Sequence, residues 1–468
     1  MERMTQMDAS FVYLETPTMH MHVVGVLILE APGRRKSFGR AQVVRGLEER
    51  IHLIPQLRRR MLAVPAGIDH PLWVEDGDFT LEDHVRAADL RAPVRWSELE
   101  GFVAEVASRP LDRGRPLWEM HVVEGLEGGR VALVTKLHHA IMDGASGGDL
   151  MASLFDLTAG GDPVAAAEVP WKPDRVPSAP SLVGGALVSW AARQREVPRA
   201  LARTLGSTVG GARTWRSQRS SGTGTPLLAP RTPFNGPISA ARAVSLTMVD
   251  LDEVREIRKA FGTTVNDVVL AAVATSLREY LLDRGGLPAA PLVVSVPVDV
   301  RSEGGTGANQ VSNMMVQLPL EPGEPLARLE AVHRNATAAK ALHSAFGGSS
   351  LQDMTGLVAP TVMAGMARLY SGLRLARFHR PVMNLIISNV PGPPIDLYLA
   401  GARVAGIFPM GPVMEGSGLN VTVLSEAHHL DVGVMACAEL VDDVGAVGRG
   451  IVEAVAELLA LARDHPVG

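Results

Sequence analysis

Two adjacent histidines end an apolar run in the segment Lys136-Leu137-His138-His139-Ala140-Ile141-Met142-Asp143-Gly144. Of all side chains, the imidazole titrates nearest neutrality, so a histidine can take a proton from a hydroxyl and return it within one turnover. Neighbouring side chains on an extended segment point to opposite faces. One histidine of the pair can therefore face a cavity while the other supports the backbone. Asp143 can fold back across the following turn and fix its geometry, and Gly144 permits the tight backbone that this needs. Other readings of the same residues stay open at this point. The pair can be a hydrogen-bonded fixture of a strand end. It can be part of a zinc site, although no third ligand stands at an ordinary spacing. A serine or cysteine nucleophile finds little support: no G-x-S-x-G occurs, and the single cysteine, Cys437, sits in a strand-like run without a base. His20 and His22 alternate along a strand and read as ordinary strand histidines. His428 and His429 read as decoration of a hairpin turn.

The elements that must position the pair are partly visible. His22 to Glu30 (HVVGVLILE) is β-branched and apolar and predicts a buried strand. Phe38 to Leu53 has helical spacing, stopped near Pro55. Ser97 to Ala107 predicts a helix with Ser97 as its cap and Glu100 as the reciprocal partner. Trp118 to Glu124 and Arg130 to Leu137 predict a hairpin through Gly125–Gly129, and a helix is expected near Asp149 to Phe155. Farther on, Thr264 to Leu282 is a strongly marked helix, with Thr264 and Asp267 as a capping box. Leu292 to Val298, Val382 to Val390, Leu419 to Leu424 and Leu430 to Ala436 predict strands, and Val447 to Ala462 a closing helix.

Composition bounds the class. The chain has 468 residues, enough for two or three domains. Lys and Arg number 45 against 50 Asp and Glu, a formal charge of −5, which argues against a nucleic-acid partner held by a bulk basic field. Hydrophobic residues make up 46%, which excludes whole-chain disorder. No run reaches the roughly 18 apolar residues of a membrane span. One cysteine and an N-terminus without an apolar core lead to the expectation of a reducing, cytoplasmic setting without a secretory signal. Pro/Ala/Gly-rich residues from 160 and Ser/Gly/Pro/Thr-rich residues 220–237 bracket an Arg-rich, partly helical stretch at 183–219. The expected organisation is a first α/β domain at 1–160, a linker at 161–239 and a second α/β domain at 240–468. The 183–219 stretch, with Leu187, Trp190, Leu201 and Trp215, and the acid-free Thr361 to Arg380 are both suited to contact with an anionic lipid surface. Arg58-Arg59-Arg60 reads as a solvated surface run.

HHAIMDG resembles the HHxxxDG signature of the CoA-dependent acyltransferase superfamily, which peptide-synthetase condensation domains share. Five further segments narrow the resemblance to the bacterial wax ester synthase/acyl-CoA:diacylglycerol acyltransferase family: MDASFVYLETPTMHMHV (7–23), RPLWEMHVVEGL (115–126), TPFNGPIS (232–239), VNDVVLA (265–271) and ISNVPGPP (387–394). The resemblance implies two chloramphenicol-acetyltransferase-like domains, each a mixed β-sheet with flanking helices, around a central tunnel. It implies transfer of a long-chain acyl group from acyl-CoA to diacylglycerol or a fatty alcohol, with acyl-CoA as substrate and neither cofactor nor metal. His139 would be the general base, His138 its assistant, and Asp143 the residue orienting the loop. Asn266 is implicated in activity, with helix capping as the other reading. Gly144, Ser388 and Asn389 would stand at the substrate, the last two near the reacting acyl oxygen, with a plain turn after a strand as the other reading. Pro116-Leu117-Trp118 reads as packing. Peripheral contact with a membrane or lipid droplet would follow from lipid substrates. Two alternatives stand beside this function: a condensation-type acyltransferase with another acceptor, and a lipid-binding protein without turnover.

Overall fold

The apolar alternation of HVVGVLILE does form a strand, His22–Glu30, buried along most of its length. The computed structural model describes residues 1–31, 38–141, 147–161, 164–165, 171–194, 229–299, 311–321, 323–346 and 360–464. His22–Glu30 lies inside a six-stranded sheet whose spatial order is Tyr398–Leu399, Ala402–Met410, His22–Glu30, Arg130–His138, Trp118–Leu126 and Val85–Ala87. All neighbours are antiparallel except the last pair. The expected hairpin spans Trp118–Leu126 and Arg130–His138, and Gly125, Gly128 and Gly129 turn it with φ of 74°, 80° and 74°, a region that favours glycine.

A second six-stranded sheet runs Val311–Leu318, Leu292–Asp299, Leu385–Pro391, Leu419–Ser425, His429–Cys437 and Arg242–Asp250. Leu385–Pro391 is parallel to both neighbours and the rest are antiparallel. Both sheets are thus mixed, and helices flank them. Val265–Leu282 and Val444–Asp464 pack together on the second sheet and share one apolar core with it. A small three-stranded sheet of Glu2–Arg3, Leu72–Glu75 and Arg59–Leu62 stands beside the first.

The division expected at 160 and 240 is crossed by the first sheet. Ala402–Met410, from the second half of the chain, completes the first sheet against His22–Glu30, from Arg403 opposite Glu30 to Met410 opposite Val24. The sequence hides this strand because Gly406 and Pro409 interrupt its pattern, and the register shifts between Val404 and Gly406 as at a bulge. A core cluster spans the two halves, with Met19, Met21 and Val26 from one and Leu246, Phe408 and Met435 from the other. The helix expected at Ser97 to Ala107 begins earlier, at Trp96, and is boxed by Glu98, whose carboxylate accepts from the Arg95 N–H at 2.9 Å. Glu100 is used elsewhere, accepting from the Leu246 N–H at 2.8 Å across the two halves. Trp96 donates from Nε1 to the Leu246 carbonyl at 3.0 Å and packs edge-on against Phe408, which fixes the earlier start.

The two sheets meet most closely where Ala402–Met410 passes Leu419–Ser425 and His429–Cys437. The Ile407 N–H donates to Asp431 Oδ2 at 2.6 Å. Burial and the neighbouring Glu426 push the Asp431 carboxyl well above the usual carboxylate range. A Cβ on Gly433 would lie 2.2 Å from the Pro409 carbonyl oxygen, a backbone atom that cannot swing away. Gly433→Ala should therefore cost on the order of 1–3 kcal/mol or more, as overpacking does. The check is thermal unfolding of the purified variant, and an unchanged Tm would contradict the close approach.

Candidate active site

The strand Arg130–His138 places the two histidines. Its charged residue Lys136 is fully buried, with Nζ 2.7 Å from Glu119 Oε1 and donating to the carbonyls of Val106 at 2.8 Å and Arg109 at 3.0 Å. Lysine here ties the C-terminal end of the helix Trp96–Ser108 to the strand. The neighbouring chain segments clamp both backbone amides: the His138 N–H donates to the Leu117 carbonyl at 2.9 Å, and the His139 N–H to the Met21 carbonyl at 2.8 Å. The strand ends at His138, and His139 opens a short 3-10 turn, His139–Ile141.

The pair then divides its work. His138 is buried, and its Nδ1 accepts from the Ala140 N–H at 3.1 Å. That bond assigns the ring proton to Nε2, which faces Glu15 Oε2 at 3.4 Å. With Nδ1 so engaged, His138 positions the turn rather than facing substrate. His139 is the partly exposed member, stacked on Phe11 with ring centroids 4.0 Å apart. Its ring nitrogens hydrogen-bond to no other residue among the described ones. Burial lowers the His139 pKa to about 4. The ring is therefore neutral at pH 7, the form a general base requires.

Glu15 was not singled out from the sequence, and it organises the site. The helix Gln6–Leu14 is capped by Thr5, whose Oγ1 accepts from the Asp8 N–H at 3.1 Å. It carries Phe11 to the His139 ring and, one turn on, sets Glu15 beneath His138. His22 stands opposite His138 in the sheet register, with Nε2 3.7 Å from Glu15 Oε1. Arg113 donates to Glu15 Oε2 and, at 3.3 Å, to the Val12 carbonyl. Burial would raise the Glu15 carboxyl, but His138, His22 and Arg113 outweigh it and hold the group far below the usual carboxylate range. His20 and His22 are therefore not ordinary strand histidines. Their rings lie 5.3 Å apart, and His22 is 5.9 Å from His138. Burial chiefly lowers His22 to about 4. The period-two spacing of Met19-His20-Met21-His22, with a glutamate shortly before it, was the available signal.

Asn266 occupies the first turn of Val265–Leu282, but the cap does not use it. Thr264 Oγ1 accepts from the Asp267 N–H at 3.2 Å, Asp267 Oδ2 accepts from the Thr264 N–H at 2.9 Å, and His333 Nδ1 joins that carboxylate at 2.8 Å. The capping reading of Asn266 thus fails, and its half-buried carboxamide makes no hydrogen bond among the described residues. Ser388 and Asn389 lie within the strand Leu385–Pro391, opposite Thr422 and Val423, rather than in a turn after it. Gly392 follows with its N–H on the Ser425 carbonyl at 2.9 Å, where a Cβ would come within 2.5 Å of that oxygen. No hydrogen bond among the described residues joins Asn266, Ser388 or Asn389 to His139. Asp143 and Gly144 lie outside the described residues. Leu117 and Trp118 are buried, and Trp118 Nε1 donates to the Leu57 carbonyl at 2.7 Å, so this motif is packing, as expected.

Residues 4–269 match the family described as the wax ester synthase/diacylglycerol acyltransferase catalytic domain, and residues 307–459 match its C-terminal domain. A Mycobacterium tuberculosis protein named for diacylglycerol O-acyltransferase activity is 35% identical over 473 residues, covering 100% of this chain and 92% of its own. Another from the same organism is 35% identical over 474 residues, covering 99% and 98%. Among solved structures, the wax ester synthase/diacylglycerol acyltransferase from Marinobacter aquaeolei VT8 is similar at a TM-score of 0.70 and 26% identity, over 98% of this chain and 100% of that one. The first condensation domain of the calcium-dependent antibiotic synthetase, 17% identical with a TM-score of 0.55 over 97% and 95%, shares the fold.

Proposed function

The chain belongs to the wax ester synthase/diacylglycerol acyltransferase family, and from that premise we propose that it works through His139 as general base. It moves a long-chain acyl group from acyl-CoA to the hydroxyl of diacylglycerol or a long-chain alcohol, giving triacylglycerol or a wax ester. The observation that carries the assignment of the base is the contrast within the pair. His138 is spent on Ala140 and Glu15, while the His139 ring is neutral, partly exposed, stacked on Phe11 and without a hydrogen bond to another residue among the described ones.

The steps follow from that geometry. His139 takes the proton of the acceptor hydroxyl as its oxygen attacks the thioester carbonyl. The C–O bond forms, and the carbonyl oxygen becomes an oxyanion. The C–S bond then breaks, the CoA sulfur leaves with the electron pair, and the imidazolium returns the proton to it. Asn266, Ser388 and Asn389 are the donors assigned to substrate and oxyanion. Asn266 is supported by its absence from the cap, and one well-aimed donor is worth roughly 3–4 kcal/mol in the transition state. Asp143 is assigned the orienting role and Gly144 a place at the substrate. The reading places the reaction in a tunnel between the two halves, needs no cofactor beyond acyl-CoA as substrate, and sets the enzyme in the cytoplasm in peripheral contact with a membrane or droplet that holds its acceptor.

Purified enzyme offered one long-chain acyl-CoA and a panel of diacylglycerol, hexadecanol and an amine is expected to release CoA with the hydroxyl acceptors. Release with the amine alone would favour the condensation-type alternative. Acyl-CoA binding without CoA release on any acceptor would make the chain a lipid-binding protein.

A further inference from the structure

We propose that the helix Pro360–Gly372, together with the turn that follows it, is the surface that docks on an anionic phospholipid layer. Its outward face carries Val362, Met366 and Leu369, with Leu373 next at the same helical spacing, 51%, 61%, 59% and 53% exposed, and in the segment that follows Phe378 and Val382 are 69% and 52% exposed. Large apolar side chains exposed singly are ordinary, but a contiguous row of this kind marks an interaction surface. Arg368, Arg374, Arg377 and Arg380 are all exposed around it, and Thr361 to Arg380 contains no acid. An apolar face rimmed by arginine is the pattern of a helix lying in the plane of a lipid interface, with side-chain stems in the acyl boundary and guanidinium groups on phosphates. A protein partner would not require a rim of one sign.

The surface is built rather than frayed. Ser371 Oγ bonds Thr18 Oγ1 at 2.8 Å and Glu415 Oε1 at 2.6 Å, which pins the helix from its inner side. Arg374 holds a left-handed backbone at φ 52°, a strained conformation for a residue other than glycine. Arg231 Nη2 braces the turn by donating to the carbonyls of Arg377 at 2.7 Å and His379 at 2.9 Å. The inner face of Pro360–Gly372 packs on Gln6–Leu14, the helix that carries Phe11 to His139. At about 8–10 Å per helix layer, a lipid surface on the outer face would lie on the order of 20 Å from the base.

The inference deepens the peripheral contact proposed above and rests on the acyltransferase reading only for the acceptor's route. Of the two stretches suited to lipid by sequence, this one is selected. The other, 183–219, lies mostly outside the described residues, although Leu187 and Val188 are exposed on Ala179–Gln194, a helix packed against the same Pro65–Gly67 turn as Pro360–Gly372.

The test is flotation of the full chain with vesicles of phosphatidylcholine alone or mixed with phosphatidylglycerol, at low and high salt. The wild type is expected to float with the phosphatidylglycerol vesicles and to release them in high salt. The double variant M366D/L369D is expected to bind roughly tenfold or more weakly, because its charges must enter the acyl boundary. That variant should keep wild-type CoA release with a short-chain, water-soluble alcohol, so a failure of docking and a failure of acyl transfer read out separately. Equal flotation of variant and parent would overturn the proposal. So would a wild type that ignores phosphatidylglycerol, or a wild-type dimer in light scattering that the double substitution splits.

Discussion

His139→Ala is expected to lose about 100- to 10,000-fold in kcat, the range that general base catalysis contributes. The protein should stay folded, because the ring is partly exposed and stacked on Phe11, while the turn is held by His138 and by the Met21 carbonyl. Circular dichroism and thermal unfolding test that condition, and CoA release tests the rate. Near-normal turnover in a folded variant would falsify the assignment. The pH profile gives an independent reading. A base works only when neutral, so kcat/KM rises with pH through the pKa of free His139 and is flat above it. Burial lowers that pKa to about 4, so the acid limb should fall near 4 rather than near 6.5. An acid limb near 6.5 would mean that a different group is being titrated. Stability moves in the same window. The unfolded chain binds protons at His139 and His22 from about pH 6.5 downward, and the folded chain resists until about 4. Stability is therefore lost as pH falls through that interval, and the profile needs short exposures at its acid end.

Glu15→Leu is expected to produce the second large effect. The carboxylate lies between His138, His22 and Arg113; removing it leaves the buried imidazole facing it without an acceptor, at a cost of roughly 1–3 kcal/mol, while Arg113 is 41% exposed and can turn its charge to water. Glu15→Gln is the sharper probe of role. Gln keeps the shape and one acceptor but turns an amide donor toward groups that are themselves donors. Residues that orient a functional histidine through a second shell of bonds typically matter by about 10- to 100-fold, and that is the loss in kcat expected here, with KM for acyl-CoA unchanged. Glu15→Asp should recover part of it. The imidazole resonances of His138 provide the readout that bare destabilisation would not move: in Glu15→Leu the Ala140 N–H still holds the Nε2-protonated form, but the Nε2 proton loses its carboxylate partner and should move upfield and exchange faster with water. Wild-type kcat and Tm in Glu15→Gln would remove Glu15 from the machinery and return it to packing.

Most regular elements were legible because their patterns are local. The capping box at Thr264 and Asp267 and the glycine turn of the Trp118–His138 hairpin stand where they were read. What stayed hidden was set by contacts distant in the chain. Ala402–Met410 has a poor strand pattern, and it is the sheet edge at His22–Glu30 that holds it extended. Glu100 looked like a local cap, but its carboxylate answers to Leu246 in the other half. The same holds at the site. The histidine pair was visible as a motif, whereas the division of labour between its members depends on Glu15, brought in by a helix far away in sequence. Alternation alone predicted that the two rings part company, but not which one takes the proton.

The strand Ala402–Met410 also bears on vectorial synthesis. A ribosome makes roughly 5–20 residues per second, so Met410 leaves the peptidyl transferase centre about 20–80 seconds after Glu30. Once Arg130–His138 has been made, His22–Glu30 can pair with it, and the opposite, apolar edge of His22–Glu30 has no strand until Ala402–Met410 arrives. Bare strand edges recruit other strands. The nascent chain therefore carries an adhesive flank for most of its elongation, and its own late segment is the piece that seals it.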